Sequence, residues 1–377
     1  MKKKIILFLL ILLLSIKVYG NQEASEHFRR GVNFYYLNRL NEALETFKQA
    51  LALQPNNIKY RFYLGKTLFK LKDYKQAIKE LEPCLSLKEE ANEVMTFLAN
   101  AYFQVGDYNN AAKLYTIISK RRPDDFEAQL ILGRINFESE PSNIQLAQRH
   151  FEQALKLEPR NSKPYYFIGR ILMRENKFQE AIDYFNRAIS FEITNAEYYY
   201  WRGNAYYAQM DFYSETEDGW RSYYDFRKAI ELGYDPAQAN FMFANTCLYR
   251  GLYYIEINRA NESVELLKTA ISHYRRVLAN RFDASNAYNN MGLALLALNN
   301  VQEAVTAFKK AVEIEPTFAI FHNNLGDAYY RLGNFKDAIT EWQLALELDP
   351  DPENKRTSLF GDRRPIREKI RDAERRR

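Results

Sequence analysis

The apolar positions of residues 285–352 repeat themselves at an offset of 34 residues. Gly292 returns as Gly326, Ala304 as Ala338, Phe308 as Trp342, Ala311 as Ala345 and Pro316 as Pro350. Within one copy, Met291, Ala294 and Leu295 recur at helical spacing until Asn299 and Asn300 break the run. Ala304, Phe308 and Ala311 then stripe a second helix that stops at Pro316. Each copy therefore reads as an antiparallel helix pair. The small residues stand where the two helices must approach closely, and the large ring fills the space between hairpins. A single pair leaves one apolar face bare, so the copies have to stack.

The same pattern runs back to residue 24. Gly31, Ala43, Phe47, Ala50 and Pro55 mark the first copy, and Gly65, Ala77, Leu81 and Cys84 the second. Ala99, Ala111, Tyr115, Ile118 and Pro123 mark the third; Gly133, Ala147, Phe151, Ala154 and Pro159 mark a fourth with two extra residues in its turn. Gly169, Ala181, Phe185 and Ala188 restore the standard length. The sixth copy carries an insertion at 211–219 before Phe226 and Ala229 resume the pattern. In the seventh, Ala244 fits the small slot and Ala270, Tyr274 and Val277 come late, which predicts a helix lengthened by roughly four turns over 244–270. The nine copies fall at 24–57, 58–91, 92–125, 126–161, 162–195, 196–236, 237–284, 285–318 and 319–352.

The stretch LGDAYYRLGNFKDAITEWQLALELDP at 325–350 resembles the signature of the tetratricopeptide repeat family, with its Leu-Gly, Tyr, Ala, aromatic and Pro positions at set spacings. The resemblance implies an all-α fold, a right-handed α-solenoid of about nine helix hairpins. It also implies that the first helix of each hairpin lines a concave groove that binds protein or peptide. Tyr200, Trp201 and Tyr207 fall on that side as apolar anchors, and Lys66 and Arg170 as cations that select acidic ligands. Asn289, Asn290, Asn323 and Asn324, with Asn100, Asn204 and Asn245, would line it with amides that pair with a peptide backbone without reading its side chains. The YNNMG and HNNLG stretches resemble the asparagine ladder of O-linked N-acetylglucosamine transferases. Packing between repeats accounts equally for the aromatic residues, and solvation or local capping for the amides. The Lys, Asn and Arg set of repeats that grip a chaperone's C-terminal carboxylate is not present in any three successive copies.

Composition narrows the picture. The chain has 47% hydrophobic and 15% aromatic residues, and only 14 Gly and 11 Pro among 377 residues, which suits long helices. Lys2, Lys3 and Lys4 ahead of the apolar run Ile5–Ile16, with Gly20 behind it, read as a secretory signal over 1–20, cleaved after Gly20; an uncleaved anchor is the alternative. The expected location is thus the periplasm or cell envelope. The tail, 353–377, carries a net charge of +5, as much as the whole chain, so the basic balance is terminal and gives no nucleic-acid surface. A short helix from Pro365 is expected there, either capping the last hairpin or meeting an anionic membrane.

Catalytic chemistry has little footing. The four histidines, His27, His150, His273 and His322, fall in four different copies, and no nucleophile elbow, phosphate loop or zinc motif occurs. Glu215, Glu217 and Asp218 lack the alternating spacing of a calcium loop. Cys84 and Cys247 lie about five copies apart, beyond the reach of a disulfide. The expectation is an exported non-catalytic scaffold without cofactor or metal. The alternatives are a membrane-surface assembly factor and a glycan-binding module or enzyme subunit.

Overall fold

The computed structural model describes residues 20–87, 89–139, 143–210, 217–234, 236–280, 282–349 and 364–377. The expected export signal, save Gly20, lies outside the described residues, as do 211–216 of the insertion and the junction 350–363. Among the described residues there are helices and turns and no strand.

The chain forms two units, residues 1–160 and 161–377. In the first, α1 (20–36) pairs with α2 (Leu40–Leu53), Gly31 lying against Phe47, and α3 (Ile58–Lys70) pairs with α4 (Tyr74–Leu81), α5 (Ala91–Gln104) with α6 (Tyr108–Arg121) and α7 (Phe126–Ser139) with α8 (Ile144–Leu157). In the second, the pairs are α9 (Ser162–Arg174) and α10 (Phe178–Phe191), α11 (Ala196–Gln209) and α12 (Glu217–Glu231), α13 (Pro236–Glu256) and α14 (Ala260–Ala279), α15 (Ala284–Ala297) and α16 (Val301–Ile314), and α17 (Ala319–Arg331) and α18 (Phe335–Leu348). Within each unit every second helix packs on the next first helix, so each is an all-α solenoid of stacked hairpins. A final helix, α19 (Ile366–Arg376), packs on α18. No helix among the described residues is long and apolar enough to cross a membrane.

Local chemistry explains the punctuation. Asn57, Asp73, Asp107, Asn161 and Asn195 cap helices by accepting a backbone N–H with the side-chain oxygen. Seven hairpin turns place one residue in the left-handed region: Asn38, Lys72, Gly106, Asn176, Asn258, Asn299 and Gly333. Gly and Asn bear that conformation at least cost, which is why the break at 299–300 reads so clearly in the sequence.

The small slots work as the period implies. A Cβ on Gly292 would sit 2.6 Å from Phe308, and one on Gly326 2.6 Å from Trp342. Ala304, Phe308 and Ala311 are fully buried.

Two expectations are corrected. The seventh hairpin is not lengthened in one place: α13 has 21 residues and α14 has 20, where α15 and α16 have 14 each. Its small slot is Gly251, whose added Cβ would lie 2.8 Å from Leu267 at the usual separation along the chain. Ala244 sits two turns earlier, buried in the same core. The extra turns therefore lie at the open base of the hairpin, leaving its tip in register. The acidic group of the insertion is not a loop where it is described: Glu217 and Asp218 form the first turn of α12 and both face Arg221.

Candidate functional site

On the first helices of the second unit, α13, α15 and α17, the residues that follow each small-slot glycine come together. Leu252, Ile255 and Glu256 follow Gly251; Leu293, Leu296 and Ala297 follow Gly292 at the same three steps; Arg331 takes the last of those steps after Gly326. They enclose a cavity of about 260 Å³. Its lining is mostly aliphatic, with Ile255 39% exposed, and includes one carboxylate, Glu256, and one guanidinium, Arg331. Arg331 is exposed and its Nη1 donates to the carbonyl of Leu296 at 3.2 Å, which fixes the guanidinium at the mouth. This arrangement suits a small aliphatic side chain beside an anionic group. With Gly251 as the slot of the seventh hairpin these residues fall at equivalent positions; counted from Ala244, seven residues earlier, they do not.

The amides expected to face a ligand turn instead toward one another. Asn324 Nδ2 donates to Asn289 Oδ1 at 2.8 Å, Asn289 Nδ2 to Asn290 Oδ1 at 3.0 Å, and Asn290 Nδ2 to Asn245 Oδ1 at 3.0 Å. Asn245 Oδ1 also accepts the Tyr274 hydroxyl at 2.6 Å. Asn289, Asn324 and Asn245 are buried and Asn290 half-buried. Asn323, 1% exposed, accepts from Lys369. Neighbouring first helices come close enough here for Asn324 and Asn289, and Asn290 and Asn245, to bridge them. Asn204 donates to the carbonyl of Tyr200 on its own helix, and Asn100 is half-buried on α5 of the first unit.

The two cations are likewise engaged within the chain. Lys66, 5% exposed, places its ammonium 2.5 Å from Glu93 and 4.9–5.4 Å from the rings of Tyr35, Phe62, Tyr63 and Phe97. Arg170 lies 3.9 Å over Trp201, donates to the Tyr166 hydroxyl at 2.6 Å and stands 3.9 Å from Glu197. In each case cation and carboxylate are 27 residues apart, from one first helix to the start of the next, a spacing visible in the sequence once sought. Lys66 thus meets a carboxylate of its own chain under aromatic faces, a favourable placement for a cation taken from water.

The aromatic anchors are largely core. Tyr200 is 3% exposed and stacks on Tyr234 at 4.5 Å. Tyr207 packs beside Tyr249, and burial first, then Tyr249, pushes its hydroxyl well above the usual tyrosine range. Trp201 covers Arg170, and its buried indole N–H has no hydrogen-bond partner. Among the described residues no cluster of His, Cys, Asp or Glu has the makings of a metal site.

Repeat-family models match the chain in several places. A TPR repeat model matches residues 31–72, 169–209 and 292–333, and two tetratricopeptide repeat models match 319–352 and 68–135. Among solved structures the chain is similar to YrrB, a TPR protein with an unusual peptide-binding site, at 20% identity and a TM-score of 0.44 over 53% of this chain and 93% of that one. It is similar to a tetratricopeptide repeat protein from Parabacteroides merdae at 17% identity and a TM-score of 0.49, over 73% of this chain and 99% of that one. MamA from Desulfovibrio magneticus shows 22% identity and a TM-score of 0.42, over 50% of this chain and 95% of that one. No curated protein matches the sequence. With repeat models matched near both ends and in the middle, over more than half of its length in total, the chain belongs to the tetratricopeptide repeat family.

Proposed function

We propose that this chain is an exported, non-catalytic scaffold of the cell envelope that binds an extended protein segment along the first-helix face of its second unit. An aliphatic side chain of that segment enters the cavity between α13 and α15, and an acidic neighbour meets Arg331. One observation carries the reading: aliphatic residues at equivalent positions of two successive first helices enclose a cavity whose mouth holds an exposed, anchored guanidinium. Lys66 and Arg170 are spent on Glu93 and Glu197, so acid selection passes to Arg331. Export rests on Lys2–Lys4 and the apolar run that follows.

The test is selection of a random peptide library on the intact chain and on its Arg331→Glu variant. Wild type enriches peptides with Asp, Glu or a free C-terminus beside Leu, Ile or Val, and the variant loses that enrichment. The same consensus from both would remove the reading.

A second reading places the chain against an anionic lipid surface, supported by Arg367, Arg371 and Arg375, exposed on α19, and by Arg377, exposed just past its end. Flotation with anionic liposomes, lost on replacing these four by Gln, tests it.

A further inference from the structure

α19 is held on its hairpin in an unusual way. Its sequence, IREKIRDAERR, offers only two Ile and one Ala to bury. At its centre Lys369 is 1% exposed, and its ammonium donates to both carboxylate oxygens of Asp327, at 2.8 and 3.0 Å, and to Asn323 at 3.4 Å. Asp327, itself buried, also accepts the Trp342 indole N–H at 3.0 Å. At the rim, Asp372 takes the Tyr330 hydroxyl and the guanidinium groups of Arg364 and Arg376. Those bonds, Tyr330's first, draw its carboxyl down to about 2.

The socket is thus a buried carboxylate backed by an indole and an amide, shaped for one ammonium on a helix. A buried ion pair selects its partner more than it adds net stability, since desolvation offsets most of the attraction. With so little apolar surface on α19, its docking depends on that match. The tail is tethered to the rest of the chain, so it meets the socket at a high effective concentration and wins against weak competitors. Asn323, Asp327 and Tyr330 all belong to α17, the helix that also supplies Arg331 to the cavity.

We propose that the α17–α18 face beneath α19 is a second docking surface, specific for a basic amphipathic helix of a partner protein, and that α19 is the resident occupant which the partner displaces. The helix it accepts carries an aliphatic residue, a Lys three positions on and a small residue four beyond that, as Ile366, Lys369 and Ala373 do. This surface is independent of the cavity reading.

The probe is a fluorescein-labelled peptide with the sequence of residues 364–377, titrated by anisotropy into the intact chain. Wild type binds it weakly, because its own helix competes. Lys369→Glu in the chain sets carboxylate against carboxylate at Asp327, expels the tethered helix and raises peptide affinity at least tenfold. Adding Asp327→Asn abolishes that gain. The proposal fails if the Lys369→Glu chain, with unchanged helicity and melting, gains no peptide binding, or if the gain survives Asp327→Asn. Hydrogen exchange on wild type gives a second measure that needs no variant: amides of α19 exchange at least a hundredfold faster than those of α17. Equal protection of the two helices overturns the proposal.

Discussion

The bond between Asn324 and Asn289 offers the clearest means of separating a structural amide from a ligand-binding one. Asn324→Ala leaves the Asn289 oxygen, in a residue 5% exposed, without its donor, which costs about 1–3 kcal/mol. Asn289→Ala leaves the Asn324 amide group bare and also removes the donor to half-buried Asn290, where water can replace it, so about 2–3 kcal/mol is expected. In the double variant both ends of the 2.8 Å bond are gone together, and only the Asn290 oxygen is left to water. The double should therefore cost no more than Asn289→Ala alone, a coupling of about 1–3 kcal/mol, the whole cost of Asn324→Ala. Urea unfolding followed by tryptophan fluorescence measures it cleanly, because Trp201, Trp220 and Trp342, the three tryptophans of the chain, all lie in the second unit. Single substitutions that each cost under about 0.5 kcal/mol and simply add would refute the reasoning: the amides would then be unpaired in solution and open to a ligand.

Two further outcomes follow from the same geometry. Lys66→Met keeps a flexible chain under four rings while releasing half-exposed Glu93 to water, so it should change stability by no more than about 1 kcal/mol, whereas Lys66→Ala should lose about 2–4 kcal/mol to the void. Calorimetric melting that finds the two equally damaging would contradict an internal role for the aromatic cage. His273, half-buried beside Phe243 and bonded to Asn240, has its pKa lowered to about 4, by burial first and then by Arg276. Because the folded value is depressed, its contribution is complete above the unfolded value near 6.5 and is lost as pH falls through about 4. Allowing for partial exposure, roughly 2 kcal/mol should disappear across that window, and a His273→Gln chain should show a flatter pH profile by that amount.

What could be read in advance varied by residue. Gly292 and Phe308 were legible as a slot and its filler because the constraint is local to one hairpin and recurs in the next. The pair α13 and α14 was harder, since two turns added to each helix shift the spacing while leaving Gly251 and Leu267 in register, and Ala244 mimics a slot. Lys66, Arg170, Asn289 and Asn324 stand on first helices, yet a residue's helix does not say whether a neighbour already holds its polar group.

The sequence by itself determined that the chain is a series of helix hairpins that must stack, because period, small slots, turn residues and proline stops all act within or between adjacent copies. Only the tertiary structure decided which first-helix polar groups are already held by a neighbour inside the protein. That outcome depends on distances of a few ångström between helices some thirty residues apart, where Glu93 reaches Lys66 and Asn324 reaches Asn289 while the guanidinium of Arg331 stays at an open mouth.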